Sequence, residues 1–155
     1  MDIEQIIRDY LPNIIHMSLS TSKDNKPWAT EVHFAYDDDL NLYFRSLLSR
    51  RHSQEIASNP QVAGSIIVQH QLGEYPHGVY FEGVAQRLEA GDDQNKAFEL
   101  LHTRVNASED ATEEATRPDG HQFYKISVEI YYVFGKCGNE TGKKYALAWK
   151  DGVEP

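Results

Sequence analysis

Apolar residues at the start of the chain recur every three or four positions. Ile3, Ile6, Ile7, Tyr10 and Leu11 form one stripe, the spacing of a helix with one buried face. Asp2 followed three residues later by Gln5 suits a helix start, and Pro12 and Asn13 end it. The period then changes to two. Ile15, Met17 and Leu19 alternate with polar residues, predicting a strand over 14–22, and 23–27 is a polar turn. A second strand over 28–36 puts Trp28, Thr30, Val32, Phe34 and Tyr36 on one face and Ala29, Glu31, His33 and Ala35 on the other. Asp37, Asp38 and Asp39 make a hairpin turn, and Leu40, Leu42 and Phe44 mark a third strand.

Residues 51–59 read as a short helix stopped by Pro60. A buried strand over 62–70 contains Ile66, Ile67 and Val68, and a loop over 71–78 follows. The next strand, 79–88, carries Gly83 where a barrel strand can bend. Gly91 and Asp92 introduce a helix whose stripe is Ala97, Phe98, Leu101 and Val105. Residues 106–120 are polar and acidic, which predicts a mobile loop. Tyr124, Ile126, Val128, Ile130, Tyr132 and Phe134 alternate along one long strand, and 145–149 suits a short final one. Without internal repeat or linker, 1–155 reads as one domain. About six strands joined largely by hairpins favour antiparallel pairing and a mainly β fold, a small barrel with three peripheral helices.

Composition narrows the functional classes. Hydrophobic residues make up 40 % of the 155, with nine Tyr, six Phe and two Trp, enough for a packed core. A formal charge of -9 argues against nucleic acid as a partner, which needs a broad basic face. Cys137 is the single cysteine and has no internal disulfide partner, so a reducing, cytoplasmic setting is expected. No apolar run reaches membrane-spanning length, and MDIEQIIRDY lacks the pattern of a signal peptide. With no secretion signal, the glycosylation patterns at Asn106 and Asn139 are read as chance.

Against this acidic background LNLYFRSLLSRRHSQEI, residues 40–56, stands out. Arg45 and Ser46 end a strand, and Ser49, Arg50 and Arg51 open a helix. Free N–H groups and a positive dipole end attract anions there, and arginine offers a planar fork for two phosphate oxygens. The competing reading is a solvated helix start whose arginines pair with nearby carboxylates. Glu31 and His33, opposite the Trp28 face, line either a ligand, a subunit interface or plain solvent. The seven histidines are scattered and form no HExxH. His52 and Glu55 have the spacing of a ligand pair on one helix, but an ion pair or an exposed face explains them better, and no metal site is expected. His70 and His77 flank a loop and can meet across it. Cys137 has no identifiable base, GNETGKK departs from the phosphate-loop pattern at both ends, and no GxGxxG is present.

The ordered set MSLSTSKDNKP, WATEVHFAYDDD, LYFRSLLSRRHSQEIASNPQVAGSIIV and GVYFEGVAQRLE resembles the flavin-binding split-barrel superfamily typified by pyridoxamine 5'-phosphate oxidase, over about residues 13–90. The resemblance implies a six-stranded antiparallel split β-barrel of Greek-key type, with flavin mononucleotide (FMN) bound between two subunits of a homodimer. Ser49, Arg50 and Arg51 resemble the family's Ser-Arg-Lys phosphate turn. Phe44, Arg45 and Ser46 correspond to cofactor contacts at the end of the third strand. Thr30, Glu31, Val32 and His33 correspond to the strand along which the flavin ring lies, with backbone groups of Glu31, Val32 and His33 toward its polar edge. The departures concern the substrate. Thr30 and Ala35 stand where the oxidase has Arg and Lys, Gly78 replaces a glutamine, and CGNETGKKYALAWKDGVEP has no counterpart to the oxidase's C-terminal segment. The implied function is a flavin-dependent oxidoreductase on an unspecified small molecule, with no catalytic acid or base marked beyond His33 as a proton shuttle. Two alternatives stay open: the same fold with haem or a deazaflavin, and a non-catalytic binding or stress protein.

Overall fold

The computed structural model describes residues 1–137 and 139–154. Gly138, which opens the GNETGKK segment, and Pro155 lie outside the described residues. The chain runs α1 (Ile3–Tyr10), a 3-10 turn (Leu11–Asn13), β1 (His16–Lys23), β2 (Lys26–His33), β3 (Ala35–Tyr36), β4 (Leu42–Leu47), α2 (Arg51–Ser58), β5 (Gln61–Ile67), β6 (Gly78–Arg87), α3 (Asp92–Val105), α4 (Ala111–Glu114), β7 (His121–Cys137) and β8 (Glu140–Ala148).

The strands form one sheet in the order β2-β1-β5-β6-β7-β4-β3, with β8 paired to β7. Neighbours are antiparallel throughout this path. The sheet curls until β2, from one edge, packs near β4, the strand next to the other edge. The result is the expected mainly β, antiparallel split barrel with peripheral helices.

Among the described residues there are eight strands where about six were expected, for two physical reasons. The predicted strand 28–36 breaks at Phe34. Its N–H still donates to the Ile15 carbonyl at 3.1 Å, but its own carbonyl accepts from Arg104 Nε at 3.0 Å. Ala35 and Tyr36 then leave β1 and pair with β4. At the other end β8 starts at Glu140, because the whole segment to Ala148 finds a partner in β7.

Two further segments differ from expectation. β5 stops at Ile67, where Val68 N–H turns to the His77 carbonyl at 2.9 Å. The polar stretch 106–120 contains α4, anchored by Ala111, which is fully buried. Asn106 ends α3 in the left-handed conformation at φ 54°, with its N–H bonded to the last turn, the usual role of a non-glycine C-cap.

The core has two parts, divided by β4. Leu42 and Phe44 face the barrel interior with Met17, Leu19, Phe81, Ile126 and Val133. Tyr43 faces the other way, under α3, with Phe123, Ala97 and Leu101. Alternation along β4 thus buries both faces.

The expected bend at Gly83 is a β-bulge. The β6–β7 register shifts between Glu82 and Gly83, and a Cβ at Gly83 would lie 2.4 Å from the Ser127 carbonyl oxygen. Opposite the bulge, the Glu129 carbonyl accepts from Trp149 N–H at 2.7 Å, so the end of β8 satisfies the group that the bulge releases.

Candidate functional site

A cleft of about 650 Å³ opens where β2 approaches the end of β4. The start of α2 and the end of α3 complete its walls. From β2 it takes Thr30, Glu31, Val32 and His33. From the β4 end and the α2 start it takes Arg45, Ser46, Ser49, Arg50 and Arg51. Phe44 differs from expectation. Its side chain is fully buried in the barrel, stacked on Tyr124 at 4.9 Å, and does not line the cleft. Strand alternation sends Phe44 inward while its neighbours reach the opening.

Each arginine has its own environment. Arg50 is the N-cap residue of α2, extended at ψ 143° and with no side-chain cap. The first N–H groups of α2 therefore point to a helix start that no side chain closes. Arg51 donates from Nε to Glu55 Oε1 at 2.8 Å, and its guanidinium lies over the Trp28 ring, 4.4 Å from the centroid. Glu55 is buried and accepts a second bond from Thr21 Oγ1 at 2.6 Å. Those two hydrogen bonds, Thr21 first, hold its carboxyl below the usual carboxylate range against the effect of burial.

Arg45 is already paired. It donates to Glu114 Oε2 on α4, and its guanidinium sits 5.3 Å from the Phe123 ring centroid. Glu114 Oε1 accepts from the His121 backbone N–H at 2.9 Å and from His121 Nδ1 at 2.7 Å. Burial works to raise the Glu114 carboxyl, but the His121 donors and Arg45 outweigh it and hold the group at about 2. The Nε of Arg45 is buried with no partner among the described residues. The guanidinium is thus a charge-balanced wall of the cleft, and Arg50 and Arg51 line its helix-start end.

Ser46 Oγ and His52 Nε2 share a hydrogen bond of 2.6 Å, both residues being buried. Burial, then the Arg50 cation, push the imidazole down against the opposing pull of Glu55, which favours neutral His52. His52 and Glu55 turn to Ser46 and Thr21 respectively, so their helical spacing serves two separate bonds. On β2, Glu31 accepts from Ser18 Oγ, and the His33 ring lies 4.5 Å from that of His16, its partner across the ladder. His70 and His77 each contact a carbonyl two residues back, at Val68 and Tyr75. Among the described residues no three His, Cys, Asp or Glu side chains group as metal ligands.

Trp28, His52, Leu101, Val105 and His121 also line the cleft, and the sequence did not mark them as site residues. Trp28 lay on the strand face opposite the candidates Glu31 and His33, although the cleft takes residues from both faces, and Leu101 and Val105 belong to a helical stripe that reads as core. His121 carries no sequence signal. It reaches the cleft because it pairs with Leu47 in the β4–β7 ladder.

A split barrel with a basic, helix-capped cleft beside its second strand defines the class of protein. Residues 3–134 match the profile of the pyridoxamine 5'-phosphate oxidase family, and the chain belongs to that family. A UPF0306 protein, plu4501, of Photorhabdus laumondii subsp. laumondii is 31 % identical over 91 residues, which cover 58 % of this chain and 64 % of that relative. The chain thus matches less than two thirds of that protein's length. Three solved structures share the fold. The haem-binding protein of Mycobacterium smegmatis has a TM-score of 0.73 at 18 % identity, covering 92 % of this chain and 56 % of its own. The haem storage protein HutZ of Vibrio cholerae has 0.68 at 12 %, covering 96 % and 95 %. A FAD-binding protein of Mesorhizobium loti has 0.64 at 20 %, covering 84 % and 92 %. At these identities the likeness carries the architecture and not the ligand.

Proposed function

We propose that the chain is a homodimeric FMN-binding protein that acts as a flavin-dependent oxidoreductase on a small molecule. One observation carries this reading: Ser49, Arg50 and Arg51 meet at the uncapped start of α2, inside a cleft whose other wall is the β2 edge. That donor set fits a phosphate monoester, with arginine forks, a serine hydroxyl and free helix N–H groups at one end. Thr30, Glu31, Val32 and His33 supply an extended backbone along which a planar ring can lie. When bound, the flavin supplies the hydride and electron chemistry; the protein holds and orients it and limits access of water. The family match and a FAD-binding structural relative support a flavin. The departures at Thr30, Ala35 and Gly78 weigh against vitamin B6 oxidation as the reaction.

Haem is the second reading. Two relatives of this fold are haem proteins, and His33 and His121 border the cleft, where the imidazole of either would hold the iron of a haem.

The absorbance of the purified protein separates the two. FMN gives the two-band spectrum of an oxidised flavin and haem gives a Soret band. If the protein is colourless and gains no thermal stability with added FMN, the leading reading fails, since a ligand that binds the native state must stabilise it. Arg50→Ala should weaken FMN binding by about 1.5–3 kcal/mol, the worth of a hydrogen bond to a charged group. Unchanged affinity by titration calorimetry would put the phosphate elsewhere.

A further inference from the structure

Arg50 and Arg51 are adjacent, yet only Arg51 is held in place. Its Nε–H is bound to Glu55 at 2.8 Å, one guanidinium face rests on Trp28 at 4.4 Å, and Thr21 fixes the far oxygen of Glu55 at 2.6 Å. Trp28 comes from β2, Thr21 from β1 and Glu55 from α2, so three elements converge on one side chain. Thr21 and Glu55 are only 3 % and 5 % exposed, which shields the bond between them from solvent and gives the Arg51 bond one buried end. The contacts use Nε and a ring face and leave the two Nη groups at the cleft, where Arg51 is a lining residue.

We propose that Trp28 and Glu55, with Thr21 behind Glu55, are positioning residues that hold Arg51 with its Nη edge ready for an anion. The inference rests on the reading of this cleft as a phosphate site and adds to it the residues that set its geometry. A long flexible side chain loses rotamer freedom when it grips a ligand. An arginine fixed beforehand avoids most of that loss, so part of the affinity originates in residues that act through Arg51. Glu55 also offsets much of the Arg51 charge, so Arg51 contributes chiefly direction and Arg50 chiefly charge.

Two measurements test this. The first needs no ligand. In ¹H–¹⁵N spectra of the intact protein, with Arg51→Lys used for assignment, the Arg51 Nε–H should exchange slowly with water. It should also be shifted by the Trp28 ring, while the Arg50 Nε–H shows neither effect. Trp28→Leu should remove the shift, and Thr21→Val and Glu55→Ala should each speed the exchange. An Arg51 Nε–H that exchanges as fast as that of Arg50 in the unaltered protein overturns the proposal. The second measurement is FMN affinity. Trp28→Leu and Glu55→Ala should each weaken binding about tenfold, near the lower end for a charged hydrogen bond. Neither should weaken it further in an Arg51→Ala background, because residues that act through one another are not additive. Equal losses with and without Arg51 would also overturn it. Thr21→Val, which keeps shape and removes only the donor, carries the test if Glu55→Ala fails to fold. If the unaltered protein binds no FMN, the cofactor reading fails, and the exchange measurement still decides whether Arg51 is held.

Discussion

At the scale of single residues, one residue type has three fates within seven positions. Arg45 is balanced by Glu114, Arg51 is oriented by Glu55 and Trp28, and Arg50 stands at the uncapped start of α2. The basic cluster was legible because arginines are unexpected beside serines in a chain of charge -9. Their partners were not: Glu114 lies in a segment that reads as an acidic loop, and only the β4–β7 pairing brings it to Arg45. The inward turn of the Phe44 side chain was hidden for a simpler reason, since alternation gives two faces but not which one meets the cleft. Glu114 also makes the protein sensitive to acid. Its ordinary value of 4.5 falls to about 2 in the fold, so the folded state binds that proton less readily than the unfolded chain. The resulting stability is complete above pH 4.5 and is lost as pH falls toward 2. Thermal melts across that window should drop steadily for the unaltered protein. They should drop less steeply for Glu114→Gln, with the remaining slope due to Asp37, Glu55 and Glu140, whose carboxyls are also lowered.

At the scale of elements, period-two patterning located the main strands, and Gly83 lies where the β6–β7 register shifts. The break between β2 and β3 was invisible because Phe34 continues the alternation without fault. Its cause is distant. Arg104 of α3 donates to the carbonyls of Phe34, at 3.0 Å, and Leu11, at 2.6 Å, and to that of Ile14. It also lies 4.8 Å from the ring centroids of both Phe34 and Tyr36. One side chain thus ties α3 to the 3-10 turn and to the strand break, and α3 carries Leu101 and Val105 to the cleft. Arg104→Met should lower unfolding stability in urea by about 2–4 kcal/mol, since several buried carbonyls lose a charged donor. A change below about 0.5 kcal/mol, the range of ordinary surface substitutions, would show that the carbonyls find other partners.

At the scale of the whole molecule, the outer face of the sheet bears on the proposed dimer. Tyr80 is 37 % exposed and stacks on Phe134 at 4.3 Å, and Lys144 sits over Tyr80 and Tyr132. Ile67, nearby on β5, is 38 % exposed. Such an aromatic, lightly charged face resembles the centre of a subunit interface more than ordinary surface. Light scattering should give twice the chain mass of 17.7 kDa, and Tyr80→Arg should shift it toward the monomer. If Tyr80→Arg leaves the mass unchanged, the dimer uses another face. No helix among the described residues is long and apolar enough to cross a membrane.

The long strand β7 has a consequence for how the chain acquires its shape during synthesis. It pairs with β4, β6 and β8, yet it begins only at His121. When β4 leaves the ribosome its partner on that side has not been made, and Phe44 must wait for Tyr124. The early portion can form the β1–β2 hairpin and add β5 and β6, but it cannot curl shut. Closing so long a loop is entropically unfavourable until the late strand repays it. Nascent chains arrested before residue 121 should therefore be protease-sensitive around β4, and release of the last segment should bring protection there.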